Sequence, residues 1–253
     1  MSAPHGLEVF RQYFADFADQ YVLIGGTASF LAMDAAGLDA RLTKDLDIVL
    51  LAEALTPEFG RTFWRFVDAG GYGVQQEAAA PRRFYRFSKP ADPAFPAMLE
   101  LFSRLPDGIR NSPPRVLTPI PFDESVASLS AILLDDEYYA MLHQGMVRFE
   151  GLSWVNERVL IPLKMKAWLD LRERKAAGHA VDEKDIRKHF NDVLRLSRIL
   201  PLDARVPLPE AVGADVATFI GAAQSQPDHT ASLKLGTGVT LASLLNDLQR
   251  VFV

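Results

Sequence analysis

Cysteine is absent from the 253 residues. That excludes disulfides, thiolate metal sites and cysteine nucleophiles, and it fits a reducing cytoplasm. Histidine is scarce: there are five, with neither an H-x-H nor an H-E-x-x-H spacing, so no histidine-based metal site is signalled. No apolar run approaches the ~18 residues of a membrane span. The opening MSAPHGLEVFRQYF lacks a basic stretch followed by an apolar one, so neither a cleaved leader nor a membrane partner is expected. An excess of positive charge is missing as well. The formal net charge is −5, which argues against a broadly basic nucleic-acid coat.

What is present is apolar residue in quantity, 49% of the chain, enough for one large domain or two modest ones. Charge is unevenly spread. Residues 151–200 carry eleven Lys+Arg against seven Asp+Glu, leaving sixteen against twenty-five elsewhere. An acidic part beside a basic one suits an anionic substrate held over a metal ion, and equally suits a solvated helical face.

The pattern along the chain predicts an α/β fold. Leu7, Phe10, Phe14 and Phe17 stand at helical spacing. YVLI is a strand-length apolar run stopped by two glycines, and TASFLAMDAAG follows as a helix ending near Gly37. DLDIVLLA reads as a strand and EFGRTFWRFVDAGG as an amphipathic helix. RRFYRFS and AMLELFS read as two more strands of a mixed sheet. Residues 105–123 are proline-rich and read as a connecting loop. SLSAILLDDEYYAMLHQG reads as a strand running into a short helix, and VRFEGLSWV as a hairpin turning near Glu150 and Gly151. From Pro162 onward the character is helical. Ile186, Phe190, Val193 and Leu194 form one apolar stripe, and two further helices follow the break at Pro201, Pro207 and Pro209.

Three features carry chemistry. In VLIGGTASF, a strand, a glycine turn and a helix start leave backbone N–H groups facing outward, and Gly25, Gly26 and Thr27 are candidates to cradle a phosphate. In TKDLDIVL, alternation puts Asp45 and Asp47 on one strand face and Leu46, Ile48 and Leu50 on the other. Adjacent carboxylates repel. Mg²⁺, which takes one or two carboxylates and completes its shell with phosphates and water, would reconcile them. In AMLELFS, Glu100 shares a face with Met98 and Phe102. A buried carboxylate needs a partner, and a metal ion held by the two aspartates would serve.

A glycine turn, a D-x-D strand and a third acid on a later strand together resemble the palm of the nucleotidyltransferase superfamily, and more closely the bacterial AbiEii/AbiGii toxin group within it. VLIGGTASF with RLTKDLDIVL is similar to that group's first motif. IPLKMKAWLDLRER is similar to its lysine motif, with Lys164 in the matching place, and EKDIRKHFNDVLRL to the helix that follows, with Asp185 as the matching acid. The resemblance runs from about residue 20 to 200. It implies a palm over residues 1–150 and a mostly helical domain over 151–253. It also implies transfer of a nucleoside monophosphate from an NTP to an acceptor hydroxyl, with one or two Mg²⁺ ions on Asp45, Asp47 and Glu100. Glu100 would complete a second metal site or accept the attacking hydroxyl's proton. Lys164 would neutralise the triphosphate, and Asp185 would join the nucleotide site. Asp185 also stands three residues after Asp182, where a capping-box acid belongs. For the acceptor, the resemblance implies RNA, in some members the 3′ end of tRNA, and a toxin's role opposite a cognate antitoxin. A small cationic molecule or a protein hydroxyl is the alternative acceptor. A nucleotide-binding module with structural acids is the alternative outside catalysis.

Overall fold

Aromatic side chains of the first helix mark the buried face of a mixed sheet. The computed structural model describes residues 3–51, 53–77, 84–104, 118–120 and 132–253. These residues fall into two units: the first drawn from Met1–Phe122 and Met146–Val155, the second from Asp123–Gly145 and Asn156–Val253.

In the first unit, helix α1 (Leu7–Phe14) buries Leu7, Phe10 and Phe14. The Phe10 ring meets Tyr21 edge-on at 5.2 Å, and Phe14 meets Phe66 at 5.4 Å. Phe66 belongs to α3 (Pro57–Gly70), where Thr56 accepts a hydrogen bond from the Phe59 N–H, a proline opens the helix and Gly71 closes it in the left-handed region. Phe63 of α3 in turn packs edge-on against Phe87 at 5.3 Å. Stacked and edge-to-face rings of this kind add to plain area burial.

The sheet contains, among the described residues, β1 (Tyr21–Ile24), β2 (Asp45–Leu50), β3 (Gly73–Glu77), β4 (Phe84–Ser88), β5 (Met98–Ser103), β6 (Thr118–Ile120), β7 (Met146–Phe149) and β8 (Leu152–Val155). Their order is β6-β3-β4-β5-β2-β1-β8-β7. β1 and β2 are antiparallel, β2 and β5 parallel, β4 and β5 antiparallel. Helix α2 (Gly25–Ala35) leaves β1 without an intervening loop. Register places Tyr21 opposite Leu50, Leu46 opposite Leu99 and Leu99 opposite Phe87. The aromatic cluster therefore covers the face that carries Leu46, Ile48 and Leu50. Asp45 and Asp47 share the other face, as alternation requires.

Three expectations are corrected. The stretch 105–123 is not all loop, because Thr118–Ile120 pairs in parallel with β3. β3 itself, GVQQE, escaped notice because its polar sequence has no apolar alternation. The division also does not fall at residue 150. The β7–β8 hairpin belongs to the sheet, β8 lying parallel beside β1, whereas residues nearer the N-terminus, in α4 (Asp136–Gln144), belong to the helical unit. The hairpin turns at Glu150 and Gly151, both with positive φ (49° and 76°), as a two-residue turn matching the twist of its strands demands. The strand expected ahead of α4 lies partly outside the described residues.

The second unit holds α4, α5 (Glu157–Ala176), α6 (Glu183–Leu196), α7 (Glu210–Ala223) and α8 (Leu241–Phe252), and Trp168 of α5, Phe190 of α6 and Phe219 of α7 meet in one buried cluster. These three rings lie 5.0–5.8 Å apart. The stripe of Ile186, Phe190, Val193 and Leu194 is buried as expected. α8 opens with a capping box between Thr240 and Ser243.

Candidate functional site

The turn between β1 and α2 is built around close approach. Gly25 has φ +62°, and a Cβ placed there would lie 1.7 Å from Asp47 Oδ2. Any side chain at 25 would displace that carboxylate. At Gly26 a Cβ would press on Thr43 at 3.2 Å. Ile24 is the N-cap residue, and no side chain caps the first turn, which leaves backbone N–H groups of α2 for an anion.

Thr27 behaves otherwise than expected. It is fully buried, and its hydroxyl donates to the Asp45 carbonyl at 3.0 Å. It fixes the start of β2 and does not face a phosphate. Thr43 assists from the other side, accepting from the Asp45 N–H at 3.3 Å.

Across the strands runs a row of charge. Register sets Asp47 opposite Glu100 and Glu100 opposite Arg86, so the three side chains stand abreast on one face. Glu100 is 8% exposed. Its Oε1 accepts from Arg86 Nε at 2.8 Å and Nη2 at 2.5 Å. Burial, followed by the charge of Asp47, pushes the Glu100 carboxyl up to about 8, against the pull of Arg86. Glu100 and Asp47 are direct neighbours across β2 and β5. Where two carboxyls meet, one of them keeps a proton.

Gly25, Gly26, Thr27, Asp45, Asp47 and Glu100 thus gather in the first unit, while Lys164 and Asp185 belong to the second. Lys164 is 4% exposed, and its Nζ donates to Asp192 Oδ2 at 3.0 Å. In this arrangement its charge is met by Asp192 and not offered to a ligand. Asp192, itself 5% exposed, was missed. The available signal was Lys164 itself, a charge among the buried residues of α5 that required an acid elsewhere. Asp185 stands in the first turn of α6, where Asp182 is the N-cap and accepts from the Lys184 N–H at 2.8 Å. An acid in that turn is favoured by the helix dipole. Arg82 and Arg83 lie outside the described residues; Arg86 is the cation that meets Glu100.

No protein-family model matches the chain, and no curated protein matches it. Among solved structures it is similar to an antigenic nucleotidyltransferase-like protein from Paracoccidioides brasiliensis, at 14% identity over 92% of this chain and 95% of that one, with a TM-score of 0.39. It is also similar to the Megavirus polyadenylate synthase, at 14% identity over 87% of this chain and 36% of that one, with a TM-score of 0.38. Both likenesses are loose, and nothing about the chemistry of the site follows from them.

The donor set decides what the site suits. Asp45 and Asp47 offer hard oxygen atoms on one strand face, as Mg²⁺ prefers. Glu100 is turned to Arg86 and is not presented as a third ligand. Among the described residues, no group of three or more His, Cys, Asp or Glu side chains is placed to hold a metal ion. The expected three-acid centre is therefore a pair of aspartates with a neighbouring carboxyl. No described helix is long and apolar enough to cross a membrane.

Proposed function

We propose that the sheet unit carries a nucleotidyl-transfer site, in which Asp45 and Asp47 would hold Mg²⁺ and an acceptor hydroxyl attacks the α-phosphate of an NTP, breaking its bond to the β-phosphate and releasing pyrophosphate. The observation that carries this reading is the row Asp47–Glu100–Arg86 beside the uncapped start of α2. When bound, the ion neutralises triphosphate charge and polarises the phosphorus. The Gly25–Gly26 turn orients phosphate oxygens through backbone N–H groups. Glu100, in its ionised form, accepts the proton of the attacking hydroxyl. Thr27 and Thr43 keep Asp45 in register. Most of the rate enhancement in such a site comes from position and charge.

The acceptor proposed is RNA, with a toxin's role opposite an antitoxin as the corresponding biology. Local positive charge over 164–198 supports this only in part. Lys164, Lys166, Arg174 and Lys175 each pair with an acid within the helical unit, leaving Arg187, Lys188 and Arg198 among the exposed cations there.

The test uses the purified chain, each of the four labelled NTPs, Mg²⁺ and total bacterial RNA, with Asp45→Asn/Asp47→Asn as the control. Label on tRNA that vanishes in the control supports reaction and acceptor together. Binding of Mg²⁺ and NTP without label on RNA moves the acceptor to a small molecule or protein. Absence of both binding and transfer overturns the reading in favour of structural acids.

A further inference from the structure

Arg86 reaches Glu100 from the strand on the far side of Asp47, and both Nε and Nη2 converge on one carboxylate oxygen. A guanidinium is charged at every working pH and holds a carboxylate in a fixed plane. Two-metal phosphoryl-transfer sites bring a second divalent ion against a neighbouring carboxylate to balance charge on both sides of the reacting phosphorus. Here a cation built into the fold already stands on Glu100. We infer that this site takes one divalent cation, on Asp45 and Asp47, and that Arg86 occupies the place on Glu100 that a second ion would need.

The inference rests on the reading of Asp45 and Asp47 as metal acids. Geometry favours it: Glu100 and its guanidinium are both well shielded, with side chains 10% and 17% exposed. A hydrated second ion would have to displace a two-bond contact from a poorly solvated place. Arg86 touches Glu100 and not the reacting atoms, so it is a positioning residue that holds Glu100 beside Asp47.

Counting Mn²⁺ bound per chain by electron paramagnetic resonance, with Mn²⁺ alone as the probe, tests this. The full chain is compared with Arg86→Lys, Arg86→Gln and Asp45→Asn/Asp47→Asn. The expected counts are one for the wild type, one for Arg86→Lys, two for Arg86→Gln and none for the double variant. Two ions on the wild type, both lost in the double variant, would overturn the inference and leave the metal acids standing. No ion on the wild type would remove the metal reading and this inference with it. A single ion of unchanged affinity on a folded Arg86→Gln would overturn the role of Arg86. If Arg86→Gln fails to fold, the wild-type count still decides whether the site takes one ion or two.

Discussion

Glu100 and Lys164 are both ionisable side chains set among buried residues, and each meets an opposite charge at hydrogen-bond distance. Their surroundings differ. Lys164 and Asp192 lie between α5 and α6, and these two buried charges cancel each other. Arg195, at 3.7 Å from the second Asp192 oxygen, is more exposed and its charge is eased by solvent. Glu100 and Arg86 lie abreast of a third charge, Asp47, so cancellation is incomplete. A balanced buried pair holds helices in register and asks nothing of solvent. An unbalanced one retains a proton or recruits a cation. This difference, more than burial, separates a structural charge from a working one.

The contrast is open to experiment. The largest effect is expected at Asp47. Asp47→Asn should lower nucleotidyl transfer by about 10³-fold with little change in the urea midpoint, read by label transfer and by denaturation of the same preparation. Lys164→Met should do the reverse. It removes the 3.0 Å partner of the buried Asp192 carboxylate and should destabilise by about 3–5 kcal/mol, whereas Lys164→Met with Asp192→Leu should recover most of that loss. A double variant as unstable as the single one would show that the pair does more than neutralise itself. Next comes Gly25→Ala. It strains a left-handed position by about 1–2 kcal/mol and drives a methyl into Asp47 Oδ2, so activity should fall more steeply than stability. Thr27→Val should cost about 1 kcal/mol through the bond lost to the Asp45 carbonyl.

A further effect depends on pH. The Glu100 carboxyl is raised from 4.5 to about 8 in the folded chain, so the folded state binds the extra proton. Its contribution to stability is fully present below about pH 4.5 and is lost as pH rises through about 8. Urea midpoints across that window should fall for the wild type, and Glu100→Gln should flatten the fall. Equal slopes in both proteins would refute the assignment.

Much of the sheet could be read from the chain because its signals are local. Asp45, Leu46, Asp47 and Ile48 alternate. Gly25 and Gly26 stop a strand, and Glu150–Gly151 sits between two strand-like runs. What escaped is set by register between separate segments. Arg86 and Glu100 meet because β4 and β5 pair with one particular offset, and nothing in either strand alone states that offset. Asp192 meets Lys164 through the packing of α6 on α5, again a property of two elements. Thr27 was placed correctly on its helix but assigned to the wrong partner, since a hydroxyl beside a glycine turn serves a phosphate or a carbonyl equally well until the neighbouring strand is known. β3 and β6 lack the apolar rhythm that announces a strand.

The return of β7 and β8 to the sheet has a consequence for biosynthesis. β1, every residue of which is buried, has β2 on one side and β8 on the other. A nascent chain that has left the ribosome as far as β5 exposes one bare edge of β1, and keeps it bare until Leu152–Val155 has emerged. Such an edge is a template for pairing with other chains. A recombinant fragment of the sheet unit should therefore end after Val155; one ending at residue 150 lacks β8 and should aggregate.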